Sequence, residues 1–396
     1  MGMATSTDEM SILALHQKVD LEEGSEARSK ILYLIGQLGA GGSERQLYYL
    51  LQKVDRQHCV PTVVVWNYNE QDTYVSRIRS LGIDICEVPH SSNPMKKLLA
   101  FLRLAKKLQP DVVHSFTFHT NFSAFCGALI ASSVAVGSLR GDFPKTLYDT
   151  GVIQGRLCLR FPRVQLCNSS IVAEKVRQWG GIFAPRRQVV VRNGLDFSLF
   201  TYCALPASQR VEILAVGSLL PHKRWDRLID AAAELKRRGY DFLIRIAGDG
   251  PLYGLLRQQI QMLEVTDCVA LLGHCEHISD LLASSSFLVH TSETEGLPNA
   301  IIEAMACGRA IVTTDVGEVS HLMENGENGF VVEKDDREGL VARMAILLTD
   351  AELRERMGKA NHVIAKQAFG LTRHVDETFD AYRAAGWTNS KPMRHD

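Results

Sequence analysis

Short runs of apolar and β-branched residues alternate along this chain with longer stretches whose apolar positions recur every three or four residues. The first run covers 30–38 (KILYLIGQL) and leads through a glycine-rich turn, GAGGSER, into a helix over 44–53. A β-branched strand at 60–66, a strand at 84–88, a helix at 95–108 and a strand at 111–116 continue the alternation. No Lys, Arg, Asp or Glu occurs from 115 to 139. Ser, Thr, Asn, His and Gly interrupt that stretch too often for a bilayer core, so a buried helix leading into a strand at 134–139 is expected. Strands at 164–168 and 189–192 follow. Such alternation implies parallel sheets with helices on both faces.

Asn193-Gly194 breaks the rhythm, and the connector DFSLFTYCALPASQR has no clear period. The alternation restarts at 211–216, which puts a domain boundary near 195–210. Strands are expected again at 242–247, 269–272, 287–290, 310–313 and 329–332, and helices at 340–348, 353–367 and 375–385. A chain of 396 residues is long enough for two cores. The expected division is a loosely ordered extension at 1–29, one αβ domain at 30–200, a second at 201–370 and a closing helical segment at 371–396. Ligands of such sheets sit beyond the carboxyl ends of the strands, so the cleft between the domains is the expected place for chemistry.

The stretch 290–317, HTSETEGLPNAIIEAMACGRAIVTTDVG, concentrates candidate chemistry. Glu295 and Glu303 stand eight residues apart. Gly296, Leu297, Pro298 and Asn299 follow the first acid, and an Ala-rich helix ending near Gly308 carries the second. Pro298 suits the first helical position, where no N–H is needed, and Gly308 suits a left-handed helix end. The free amides of that helix start, with its dipole, would seat a phosphate, and Glu303, one turn in, would accept hydrogen bonds from ribose hydroxyls. On spacing alone, a buried strand, a turn and a core helix with two incidental acids account for the stretch equally well. The loop 39–45 is not a P-loop, because no Gly-Lys-Ser/Thr follows. Nor is it a dinucleotide fingerprint, since Glu44 holds the third glycine position and strand 60–66 does not end in an acid.

Taken with its neighbours, the stretch resembles the E-x7-E signature of family 4 retaining glycosyltransferases, which have the two-domain GT-B fold. The resemblance extends over roughly 30–382 through VGSLLPHKRWDRLIDA (216–231), IAGDGPL (246–252) and TTDVGEVSHLMENGENGF (313–330). It implies transfer of a sugar from a UDP- or GDP-sugar to a glycan or polyprenyl-linked acceptor, in cell-surface polysaccharide or glycolipid synthesis. GGSER resembles the family's G-G-x-E-R start, which turns Gly41 and Gly42 toward acceptor and donor phosphate. Lys223, beside Gly217, would hold the diphosphate, Gly248 belongs to a G-x-G-P turn beside the nucleotide, and 275–278 falls where the base is contacted. Glu295 would hold sugar hydroxyls, the segment Gly296, Leu297, Pro298 and Asn299 would line the phosphate seat with the amides of all but the proline, and Glu303 would take the ribose. The closing helix would cross back to the first domain.

Two departures stand out. Ser218 occupies a position where the family usually has arginine, leaving Arg224 as a substitute. Aligning VGSLRGD with a family run that often contains histidine puts Arg140 at that histidine, with Asp142 nearby. Arginine cannot serve as a general base, but it can bind a phosphate or steer an acceptor. His119, in the loop FTFHTN, joins Arg140 and Asp142 on the acceptor side. Lys223, Glu295 and Arg140 are thus the candidate catalytic groups.

Charge refines the expected partners. Residues 30–200 hold 21 Lys and Arg against 11 Asp and Glu, a balance of +10, while 201–396 stand at −7. In the helix 95–108, Met95, Leu98, Leu99, Leu102 and Ala105 share one face on a helical wheel, with Lys96, Lys97, Arg103, Lys106 and Lys107 elsewhere. That suits either an anionic membrane surface or simply the cover of a parallel sheet. Nine cysteines at irregular spacing, without a C-x-x-C pair, argue against disulfides or a zinc site and for a cytoplasmic protein; the basic helix would make it peripheral on the inner face of the membrane. Residues 1–29 lack the basic start and apolar length of a signal peptide. No Asp-x-Asp occurs, so neither metal nor cofactor is expected beyond the nucleotide-sugar substrate, and no nucleic-acid partner is expected. The competing readings are a GT-B nucleotide-sugar epimerase or sugar phosphorylase, and a non-catalytic GT-B scaffold.

Overall fold

The computed structural model describes residues 28–208 and 210–388. The expected N-terminal extension therefore lies outside the described residues except for its last two, and Ser29 already opens the first strand. Seven strands form the first sheet: β1 (Ser29–Ile35), β2 (Cys59–Val65), β3 (Asp84–Glu87), β4 (Val112–Ser115), β5 (Val134–Leu139), β6 (Val164–Cys167) and β7 (Gln188–Val190). Their order is β3-β2-β1-β4-β5-β6-β7 and every pairing is parallel. Six more form the second sheet: β8 (Val211–Val216), β9 (Phe242–Ala247), β10 (Val269–Gly273), β11 (Phe287–His290), β12 (Ala310–Thr314) and β13 (Phe330–Val332). Their order is β10-β9-β8-β11-β12-β13, again all parallel. Central strands buried on both faces explain why Ile31 to Ile35 is an unbroken apolar run rather than an alternating one.

In each sheet the chain winds outward from its first strand in one direction, then returns to wind in the other. The reversal lies between β1 and β4 in the first domain and between β8 and β11 in the second. Loops leaving neighbouring strands at such a point part to opposite faces and open a crevice.

The last helix, Leu371–Ala384, belongs to the second half of the sequence but packs on the first domain. Val375, Phe379 and Tyr382 are buried in one cluster with Ile31, Tyr33, Val112 and Val136. The Tyr382 hydroxyl is 2.8 Å from His114 Nδ1, and His114 Nε2 is 2.9 Å from Ser138 Oγ, so His114 ties this helix to β4 and β5. A second tie between the domains is Glu318, whose side chain is fully buried. It accepts hydrogen bonds from Ser170 N at 2.8 Å, Ser170 Oγ at 2.9 Å and Arg192 Nη2 at 2.7 Å. Its carboxylate thereby caps the helix Ser170–Trp179 from the opposite domain, where free amides and the dipole favour an anion.

The helix Pro94–Leu108 is turned differently from the face that its pattern suggested. Asn93 caps it, accepting from Met95 N at 2.9 Å, and its buried row is Lys97, Phe101 and Ala105. Phe101 sets this rotation by filling the space above Gly127, where a Cβ would approach its ring to 2.7 Å. Lys97 follows four residues before, its stem buried and its Nζ on Asn67 Oδ1 at 2.7 Å and over the Trp66 ring. Met95 and Leu99 consequently face solvent, 62% and 47% exposed. Of the five apolar positions grouped on one face, only Ala105 is fully packed.

Candidate active site

The two crevices face each other across one cavity of about 1000 Å³. Its floor on the second domain is built by three loops that brace one another. After β8 the chain runs through Gly217 and Ser218, whose carbonyl accepts from the indole N–H of buried Trp225 at 3.1 Å. Leu219 N reaches Asp249 O at 2.9 Å, joining this loop to the turn that begins at Gly248. Thr291, just past β11, donates to the carbonyls of Lys223 and Arg224 at 3.0 Å each, which fixes the base of the Lys223 side chain.

Lys223 Nζ meets Glu295 Oε1 at 2.5 Å, and Ser292 Oγ adds a bond to the same oxygen at 3.0 Å. Burial works to raise the Glu295 carboxyl. Lys223 and the nearby ring of His290 outweigh it and hold the group well below the usual carboxylate range. His290, wholly buried, is itself shifted downward by its loss of solvent. The helix after Glu295 spans Asn299–Ala306, so Pro298 stands at the cap, one position before its expected place. Leu297, Pro298, Asn299 and Glu303 all line the cavity.

The opposite wall comes from the first domain and approaches very closely. A Cβ on Gly42 would lie 2.9 Å from Asn299 Nδ2, and one on Gly296 would lie 2.8 Å from Asn168 Oδ1. Glycine at both points lets the two walls approach without displacing these amides. Asn193 Nδ2 donates to Asn299 Oδ1 at 2.9 Å, and Arg45, from the helix Gly42–Lys53, forms an ion pair with the buried carboxylate of Glu303. Burial tends to lower the Arg45 pKa, but the Glu303 charge more than reverses this.

Most of the residues singled out in the sequence line this space: Gly41, Gly42, Arg140, Gly217, Ser218 and Lys223, then Gly248, Glu295 and the 297–303 group. Gly296 and Asp142 border a smaller adjoining pocket. Two candidates stand apart from both. Arg224, whose backbone is left-handed at φ 52°, turns its guanidinium onto Asp226, with Nη2–Oδ2 at 2.8 Å, instead of into the cavity. His119 sits behind β1, packed where a Cβ on Gly36 would touch its ring. Asp142 caps the helix Phe143–Thr150 and pairs with Lys175 at 2.5 Å, a structural use of the acid. Sequence reading did not single out Arg45, Asn168, Asn193 or Arg77, all of which line the cavity. Arg45 lay within the quoted GGSER run, and only its partner 258 residues away distinguishes it.

Two family models account for most of the chain: "Glycosyltransferase Family 4" matches residues 40–199 and "Glycosyl transferases group 1" matches residues 205–363. The chain belongs to the group 1 glycosyltransferases. Among its relatives is the alpha-D-kanosaminyltransferase of Streptomyces kanamyceticus, 34% identical over 51% of this chain and 50% of that one. The chain thus spans about half the length of that relative. The N-acetylgalactosamine-N,N'-diacetylbacillosaminyl-diphospho-undecaprenol 4-alpha-N-acetylgalactosaminyltransferase of Campylobacter jejuni is 26% identical over 82% of this chain and 92% of that one. Among solved structures, Anabaena HepE in complex with UDP-glucose superposes with a TM-score of 0.77 at 21% identity, covering 90% of this chain and 99% of that one. The two facing parallel-sheet domains are accordingly those of the GT-B fold, with the cavity lying between them.

Proposed function

We propose that this group 1 glycosyltransferase transfers a sugar from a nucleoside-diphosphate sugar, with retention at the anomeric carbon, to a glycan or lipid-linked acceptor. The observation that carries the reading is the convergence of Lys223, Glu295 and the start of the helix Asn299–Ala306 on one interdomain cavity. As the bond from the anomeric carbon to the diphosphate oxygen breaks, negative charge grows on the leaving phosphate. A fixed ammonium and free amides aimed at that charge lower the barrier. The acceptor hydroxyl forms its bond to the anomeric carbon on the same face, and its proton passes to the departing phosphate oxygen. Glu295 then orients sugar hydroxyls, Glu303 takes the ribose once Arg45 releases it, and the 274–279 segment meets the base.

UDP is the favoured nucleotide, because the HepE complex contains UDP-glucose. A lipid-linked acceptor is favoured by the Campylobacter relative, whose name specifies a diphospho-undecaprenol substrate. Among the described residues no helix is long and apolar enough to cross a membrane. The proposed approach to such an acceptor is peripheral, from the cytoplasmic side, in the assembly of a cell-surface polysaccharide or glycolipid. The reaction needs no metal, since Lys223 and the amides supply the positive charge.

The test is incubation of the full chain with UDP-sugars in the presence of EDTA. Slow release of UDP and of the free sugar, its anomer fixed by immediate NMR, is the expected result. An epimerised nucleotide sugar as sole product would assign the fold to an epimerase. No UDP binding and no turnover of any nucleotide sugar would overturn the proposal.

A further inference from the structure

Beside the donor cavity lies a second pocket of about 220 Å³, between the start of the helix Phe143–Thr150 and the loop at Thr294. Arg140 and Glu295 line both spaces. Anything seated in the smaller pocket therefore meets whatever group Glu295 and Lys223 hold in the larger one. Its volume falls below the roughly 300–1,000 Å³ of a whole small-molecule site, which suits one sugar unit of a longer acceptor.

Charge in this pocket is unevenly settled. Asp142 is taken by Lys175, Asp149 by Lys145 and Glu295 by Lys223, each at 2.5 Å. Arg140 has no carboxylate within 4.0 Å among the described residues. Among the described residues the one hydrogen bond of its guanidinium is a long one, Nη1 to Asn193 Oδ1 at 3.3 Å, and its Nε is buried without a partner. The guanidinium lies over the Phe116 ring, 4.8 Å from the centroid, a cation–π contact that helps to hold it at this junction. Glu44 acts on it only at longer range, and that acid is itself pushed toward its neutral form by burial. Burial lowers the Arg140 pKa to about 10, so it stays charged near neutral pH while lacking the anion that normally offsets such burial.

We infer that the smaller pocket seats an acceptor sugar carrying an anion, a phosphate or a carboxylate, close to its attacking hydroxyl, with the planar Arg140 fork as the anion's partner. This rests on the reading of the larger cavity as the donor site. The planar guanidinium fork matches two oxygens of a carboxylate or phosphate at once. Arg140 is then a specificity-determining residue at the junction of donor and acceptor.

The experiment measures binding of three probes of like ring configuration to the full chain saturated with UDP, which fills the diphosphate seat. Glucose 1-phosphate and methyl glucuronide carry the two anions, and methyl glucoside carries none. At least one charged probe is expected to bind tenfold or more tightly than methyl glucoside. Preference for the phosphate indicates a phosphate-linked acceptor, and preference for the glucuronide an acidic glycan. Arg140→Gln should abolish the preference, while Arg140→Lys, which keeps the charge but not the fork, should retain part of it. Three probes binding alike, none binding, or a preference that survives Arg140→Gln would overturn the inference. So would a loss of UDP affinity in Arg140→Gln as large as the loss for the probe, which would move Arg140 to the donor's diphosphate. Failure of UDP itself to bind the unaltered protein would instead remove the donor reading beneath it.

Discussion

In the proposed reaction Lys223 and Glu303, two side chains of one cavity, act on different steps. Lys223 would answer charge that appears as the glycosidic bond breaks, so its loss should fall on the transition state. Glu303 would answer a ribose that is present before and after, so its loss should fall on binding. Each is a charge-assisted contact of roughly 1.5–3 kcal/mol, or about 10- to 150-fold. Lys223→Ala is therefore expected to slow turnover by that factor with KM for donor little changed, and Glu303→Ala to weaken UDP binding by a similar factor. Steady-state kinetics with a UDP titration separates the two, and kinetics within twofold of the unaltered protein for both variants would remove the donor site from the second domain. At this scale the sequence was most legible where residues that share a cavity also share a loop, as Glu295 to Asn299 do. It was least legible where partners are remote: Arg45 and Glu303 are brought together by two sheets that no local pattern relates. Arg224 was misread for the complementary reason, because a lysine-arginine pair on a loop does not disclose that Asp226 captures the second cation.

Among the elements, strands and long helices followed the apolar pattern closely, since parallel strands must be apolar on both faces to be covered at all. The rotation of a helix about its own axis was harder to read. In Pro94–Leu108 a lysine occupies a buried position because its stem packs on Trp66 while its ammonium finds Asn67. The apolar residues that this rotation turns outward, Met95 and Leu99, lie on the same helix as the exposed Lys96, Arg103, Lys106 and Lys107. Such a surface suits shallow contact with anionic lipid, at about 1 kcal/mol per basic residue near the membrane. The chain is expected to float with vesicles containing anionic lipid at low salt and not with neutral ones. Lys96→Glu with Lys106→Glu should abolish flotation, and flotation unaffected by this pair would place any lipid contact on another element.

The whole molecule closes on itself through the C-terminal helix, and three buried histidines, two of them at that closure, should make the fold sensitive to acid. His374, at the start of the helix, lies with Nδ1 2.9 Å from Arg192 O, and burial brings its pKa down to about 3. His114, which ties Tyr382 to β5, is pushed well below its ordinary value by burial, and His290 is lowered for the same reason. In each case the folded state binds its proton less readily than the unfolded chain. Stability is thus full above about pH 6.5 and falls as the pH drops toward the depressed folded values. His374 alone contributes a loss on the order of 2 kcal/mol between pH 6.5 and pH 5. Thermal unfolding should show a melting temperature that declines over this range, before most carboxylates titrate. His374→Asn should flatten the decline, and an equal slope in the variant would assign the acid sensitivity elsewhere.

The Arg45–Glu303 pair has a kinetic consequence. On the proposed reading, the carboxylate that would take the ribose is already satisfied by a cation from the opposite wall; the cleft then holds an internal stand-in for its ligand, and nucleotide capture becomes an exchange rather than a simple addition. Exchange of this kind proceeds only as fast as the stand-in lets go. Ions that loosen the stand-in also screen the attraction that draws an anionic nucleotide toward a basic domain. The two effects oppose each other, so the association rate of UDP should pass through a maximum at intermediate ionic strength instead of falling steadily with added salt.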